Sequence, residues 1–138
     1  MIPTHIIIHH SLTDDSRSVS WGAIRWYHMH SMGWNDIGYH LGLELVGEYY
    51  EILMGRQLDE VGAHTIGMND CSVGICVIGN YDLERVPEAA MVKLIHVTRS
   101  LQRIFDIPTE NVKRHSDYAG YKTCPGKRFQ WDEFLLRL

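Results

Sequence analysis

The chain has 138 residues, of which 45% are hydrophobic and 22% charged. That composition suits one compact domain with a core that needs no disulfides. A net charge of -4 argues against a nucleic-acid-binding surface, although Lys113, Arg114, Lys122, Lys127 and Arg128 gather near the C-terminus. Nothing approaches the roughly 20 apolar residues of a membrane span, and the run Ile6 to Ile8 is too short for a signal peptide. The expectation is a product made in the cytoplasm without a leader. It would reach a substrate outside the membrane only on release or by delivery through another protein.

In chain order, His5 to His10 predicts a strand with an isoleucine-rich centre. Ser11 to Ser18 is polar and loop-like. A helix is expected from Ser18 or Ser20 as N-cap, with Trp21, Ile24 and Tyr27 on one face and a stop at Gly33. Trp34 to Gly38 reads as a turn. Tyr39 to Val46 and Tyr49 to Leu53 read as a hairpin about Gly47-Glu48. Gly55 to Asp70 is long for a loop, which favours a functional role. Ser72 to Ile78 is a continuous apolar run, as expected of a buried central strand.

Pro87 sits where a first helical residue belongs, and Ala90, Met91, Leu94, Ile95, Thr98, Leu101 and Phe105 follow at helical spacing until Pro108. Asn111 to Arg114 suggests a short strand. Arg128 to Leu138 suggests a terminal helix using Phe129, Phe134, Leu135 and Leu138. The order of elements predicts an α/β fold, a single domain over residues 1–138 with a mixed central β-sheet flanked by helices. There is no internal repeat and no linker.

Three cysteines is an odd number, so a full set of internal disulfides is impossible. Cys71 and Cys76 would face opposite sides of a strand and read as small core residues. Cys124 differs, because Pro125 and Gly126 follow it in a polar stretch. Histidine is the compositional anomaly, nine residues against thirteen Lys plus Arg. His9 lies at the end of the first strand, His115 just past the short strand, and Cys124 nine residues further on. Two imidazoles and one thiolate are a donor set that zinc accepts. Three protein ligands leave a fourth tetrahedral position for water, the arrangement of a catalytic site.

Taken singly, these residues have ordinary readings. A lone histidine is more often not a ligand, Tyr39 reads as a half-buried strand aromatic, and Lys122 as a solvated loop lysine. His9 and His10 should not share one ion, since adjacent strand residues face opposite ways. His5 lies about 13 Å from His9 along the strand by the strand rise. His28, His30 and His96 fall on helices, where surface placement is expected.

Read together, Ile7-Ile8-His9-His10-Ser11, Gly33-Trp34-Asn35-Asp36-Ile37-Gly38-Tyr39-His40, Gly55-Arg56, Gly62-Ala63-His64-Thr65, Asn69, Ser72-Val73-Gly74-Ile75 and Lys122-Thr123-Cys124-Pro125-Gly126 resemble one family. It is the zinc-dependent N-acetylmuramoyl-L-alanine amidases related to T7-type phage lysozyme and to peptidoglycan recognition proteins. The likeness runs in order from about residue 4 to residue 134. The resemblance implies that fold, one Zn2+ per chain held by His9, His115 and Cys124, and catalysis assisted by Tyr39 and Lys122. It also implies a substrate groove involving His64, Asn69, Arg56 and His40.

The implied substrate is bacterial peptidoglycan or a muropeptide, cut between N-acetylmuramic acid and L-alanine by a monomer acting as a phage or prophage endolysin. Neither nucleic acid nor membrane insertion is implied. Two alternatives come with the family: a non-catalytic peptidoglycan-binding module, which the presence of Cys124 disfavours, and an amidase that also inhibits a phage RNA polymerase. A nucleobase deaminase is disfavoured, since neither His-x-Glu nor Pro-Cys-x-x-Cys occurs. The interval from His115 to Cys124 is one residue longer than in the closest phage pattern. The extra cysteines common in animal recognition proteins are missing, which favours a bacterial or phage origin.

Overall fold

The computed structural model describes residues 1–13 and 21–138. The expected N-cap at Ser18 or Ser20, and most of the loop before it, lie outside the described residues. Among the described residues, five strands and three α-helices follow in the order β1 (His5–His10), α1 (Trp21–Trp26), β2 (Leu41–Val46), β3 (Tyr49–Met54), β4 (Ser72–Val77), α2 (Glu88–Phe105), β5 (Val112–Arg114) and α3 (Trp131–Leu136). No helix among them is long and apolar enough to cross a membrane.

The strands form one mixed sheet in the order β3-β2-β4-β1-β5. β2 and β3 are an antiparallel hairpin, and every other neighbouring pair is parallel. β1 and β4 occupy the interior and are buried almost throughout. Strands covered on both faces read as unbroken apolar runs, which is why Ile6-Ile7-Ile8 and Val73 to Val77 carry so few polar residues.

The two faces have different jobs. One carries Ile6, Ile8, Val73, Ile75, Leu41 and Leu43 against the apolar stripe of α2 (Ala90, Met91, Leu94, Ile95) and against Phe134 of α3. Fully burying Met91 or Leu94 stabilises the fold by about 1.5–3 kcal/mol each. The register pairs His9 with Cys76 and Cys76 with Gly42, and Gly74 lies two residues before Cys76 on the same face. This second face is therefore floored with small residues. A Cβ on Gly42 would lie 2.5 Å from the Trp21 ring, and one on Gly74 would lie 2.6 Å from the His64 ring. The missing side chains make room for large rings on this face alone.

Several boundaries differ from the sequence-based expectation. α1 ends at Trp26 and continues as a π-helical turn, Tyr27–Ser31. Tyr27 is 53% exposed rather than aligned with buried Trp21, because six residues along a helix carry it about a third of a turn away. β2 begins at Leu41, because Tyr39 and His40 are drawn into loop contacts. Pro87 is the N-cap of α2 rather than its first helical residue, and Asp106 ends the helix in the left-handed region at φ 55°. α3 starts at Trp131, so Phe129 packs into the core from outside the helix.

Because the Gly74 position is enclosed, Gly74→Ala should lower stability by about 1–3 kcal/mol through overpacking. Urea denaturation should show a lower midpoint with an unchanged slope. An unaltered midpoint would mean that the His64 ring moves aside freely.

Candidate metal centre and groove

β1 and β5 are parallel neighbours with Ile8 opposite Arg114. Their C-terminal ends therefore bring His9 and His115 to the same edge of the sheet. Ligand sites in open α/β sheets gather at this end of the strands. His9 is buried, 1% exposed, and His115 is half-buried in the 3-10 turn that follows β5. Cys124 arrives on a loop tied back to that turn, where Ser116 N–H donates to the Cys124 carbonyl at 2.9 Å.

Ligand atoms of His9, His115 and Cys124 lie within 4.8 Å of one another. His9 Nδ1 and Cys124 Sγ are 3.8 Å apart. Tetrahedral zinc with ordinary Zn–N and Zn–S bonds would separate those atoms by about 3.6 Å. The donor set and this spacing both fit zinc.

Burial is the largest influence on each group. It pushes the His115 imidazole down to about 4, helped by the Lys122 ammonium, and holds His9 well below the ordinary histidine value. It raises the Cys124 thiol to about 11, against the opposing pull of the His10 backbone N–H, which donates to Sγ at 3.4 Å, and of Lys122. Both imidazoles are thus neutral near pH 7, as metal ligands must be, and the thiol must lose its proton on binding.

His9 Nε2 points away from Cys124 and lies 3.0 Å from His64 Nδ1. His64 is itself buried, with its pKa lowered to about 3 by burial and by the nearby His40. Its backbone N–H and that of Thr65 both donate to Asn69 Oδ1 at 2.8 Å. Tyr39 stacks obliquely on His9, with ring centroids 5.1 Å apart. Its hydroxyl is linked by a hydrogen bond to the buried Cys76 thiol, and burial raises the phenol pKa well above the ordinary value.

Two cavities meet here. One of about 650 Å³ is lined by His9, Tyr39, His115, Lys122 and Cys124. The other, about 680 Å³, continues past His115 and Lys122 to His64, Thr65, Asn69 and Tyr118. Of the residues expected in a substrate groove, His64 and Asn69 border the second cavity. Arg56 and His40 do not. Arg56 donates to the carbonyls of Ile37 and Val61, both at 2.8 Å. Buried His40 accepts from Gly74 N–H and lies 3.0 Å from the Glu60 carbonyl. His40 thus ties the loop 55–70 to β4, and Arg56 ties it to the turn before β2.

Two further residues escaped the sequence reading. His28, expected at the surface, is half-buried against Trp34 and Tyr39, and its Nδ1 accepts from Gly38 N–H at 3.0 Å. Asp82 accepts from the Thr123 hydroxyl at 2.8 Å and from Lys127 N–H at 2.9 Å, clamping the loop that carries Cys124. An acidic residue just beyond a buried strand was the only available signal for Asp82. For His28 the signal was its spacing, seven residues after the buried Trp21 and so on the same helical face.

Residues 1–127 match the family described as N-acetylmuramoyl-L-alanine amidase. The endolysin of Enterobacteria phage K11 is 33% identical over 127 residues, covering 88% of this chain and 80% of its own. The endolysin of Klebsiella phage KP32 is 37% identical over 86 residues, 62% of this chain and 54% of that protein. Among solved structures, the amidase LysC of Clostridium intestinale superposes with a TM-score of 0.87 at 31% identity, over 99% of this chain and 85% of that one. Drosophila PGRP-LB does so at 0.78 and 29% identity, over 93% of this chain and 78% of its own. A paired-imidazole and thiolate centre at the edge of this sheet, on a chain matched over nearly its whole length, has one consistent reading: the chain belongs to the N-acetylmuramoyl-L-alanine amidase family.

Proposed function

We propose that the chain is a zinc-dependent endolysin of phage type, which hydrolyses the amide between N-acetylmuramic acid and L-alanine in peptidoglycan or muropeptides. The observation that carries this reading is the convergence of His9, His115 and Cys124 at the junction of two cavities. Bound there, zinc supplies Lewis acidity and a water acidic enough to act near neutrality. The remaining work falls to the chain.

The groove on the His64 and Asn69 side would seat the stem peptide and bring the lactyl carbonyl over His9 and Cys124. Attack by water at that carbon builds negative charge on the carbonyl oxygen. Tyr39, kept protonated by burial, would turn its one hydroxyl proton from the Cys76 sulfur to that oxygen and donate there. The exposed Lys122 ammonium borders both cavities and adds a positive field. It also serves as a proton source for the departing alanine amine. His10, on the opposite side of β1 from His9, holds the Cys124 loop: its ring accepts from Tyr81 N–H at 3.1 Å while its backbone N–H faces the sulfur.

Purified sacculi should release new alanine amino termini without new reducing sugar ends. Chelation should abolish this and added zinc should restore it. Undiminished digestion by chelator-treated protein would remove the proposed chemistry. Tyr39→Phe and Lys122→Ala should each lower turnover by about a hundredfold or more, the scale of losing one oxyanion donor, with zinc content unchanged. Wild-type turnover in either variant would take that residue out of the reaction.

Zinc binding at about pH 6, below the range where its bound water ionises, should expel one proton per ion, from Cys124, because the thiol sits at about 11 and His115 at about 4. Apparent affinity should therefore rise about tenfold per pH unit from above the His115 value to about pH 6. Calorimetry in buffers of differing ionisation enthalpy measures the proton count. A count of zero would mean that the thiolate exists before the metal arrives.

A further inference from the structure

The geometry points to His64 as the positioning residue that fixes the tautomer of His9 and so presents its Nδ1 to the metal. The inference rests on the zinc reading above and assigns His64 a role distinct from lining the groove.

His9 Nδ1 is the ring nitrogen facing Cys124 Sγ, at 3.8 Å, so it is the nitrogen that must present a lone pair. A neutral imidazole then carries its proton on Nε2. That atom lies 3.0 Å from His64 Nδ1 and donates to it. His64 Nδ1 is thereby an acceptor, so the His64 proton sits on Nε2. There it lies 3.4 Å from the Ser72 carbonyl, which can only accept. The chain of donors runs in one direction, from the metal-facing ring to the backbone of β4. The reverse chain would put the His9 proton on Nδ1, between the ring and the sulfur, and close the position to an ion.

His64 is held firmly enough to impose this order. Asn69 Oδ1 grips the backbone on both sides of the ring's attachment, and the ring lies over Gly74, where any larger residue would displace it. The two rings meet edge to face, with centroids 5.1 Å apart at 90°. The Thr65 hydroxyl, 3.4 Å from His9 Nε2, is a longer secondary partner. Partners of a ligating imidazole's second nitrogen commonly carry a tenfold to hundredfold share of metal affinity. They are usually carboxylates, carbonyls or water. A neutral imidazole in this role adds no charge to the buried centre.

Long-range proton–nitrogen correlation spectra of the ¹⁵N-labelled, zinc-loaded protein test the proposal. His9 and His64 should both appear as the Nε2–H tautomer, with scalar coupling across the hydrogen bond between His9 Nε2 and His64 Nδ1. His64→Phe keeps a ring of similar size without an acceptor. It should weaken zinc binding by about tenfold or more. His64→Asn, whose oxygen can occupy the acceptor position, should recover most of the loss. A His64 Nδ1–H tautomer in the wild-type protein would overturn the inference, even if neither variant folds. So would wild-type zinc affinity in folded His64→Phe. Failure of the wild-type protein to bind zinc at all would instead sink the reading on which this one rests.

Discussion

A fully buried imidazole has two ring nitrogens, and a burial as deep as that of His9 leaves neither to solvent. Everything near the site follows from meeting that demand on a strand whose centre is three buried isoleucines. One nitrogen looks along the sheet edge to Cys124, the other across the sheet face to His64. The ring can stand there because Gly74 and Gly42 remove the side chains that would crowd the neighbouring rings. The apolar face beneath supplies rigidity, and the small-residue face above supplies space. A central strand packed on both sides by large residues would be equally stable and could hold no such centre.

The loops extend the same logic. Each brings one polar group to the centre and is anchored by a side chain that never touches it. Asp82 holds the segment bearing Cys124, Asn69 the turn bearing His64, and Arg56 the base of the loop 55–70. These anchors bond mainly to backbone N–H and C=O groups, which loops must satisfy once they are drawn against a core. The 3-10 turn after β5 is fixed in the same way by Arg114 and Asp117, whose side chains meet at 2.9 Å. Rigid first-contact residues on strand ends, with loops tied down around them, are what hold a catalytic geometry within tolerance.

Much of the fold is legible in the sequence, because its strongest features are local. The apolar runs of β1 and β4 and the helical stripe of α2 lie where periodicity puts them. The metal-facing trio was suggested by residue chemistry and made specific only by the ordered family motifs. What the sequence hides is long-range. Nothing local in His40 or Arg56 distinguishes a side chain facing substrate from one spent on the carbonyls of Glu60 and Val61. His28 shares a helical face with Trp21 seven residues earlier, but the partners that enclose it, Gly38 N–H and the Trp34 and Tyr39 rings, come from later in the chain. Asp82 is one ordinary acidic residue until Thr123 and Lys127 fold back upon it, more than forty positions later.

The electrostatics of the centre close the argument. Burial drives His9, His64 and His115 toward their neutral forms and drives the Cys124 thiol toward its own. A cage of neutral donors avoids the several kcal/mol that each buried ion costs. It also means that a divalent cation enters a site with no competing positive charge on its ligands. Lys122, the lysine whose charge bears on His9, His115 and Cys124, stands at the solvent edge, where it reaches the groove without sharing the burial. A carboxylate in place of His64 would strengthen the pull on His9 Nε2 but would add a charge to the deepest part of the site. An imidazole relay that ends on a backbone carbonyl provides the same direction without that burden.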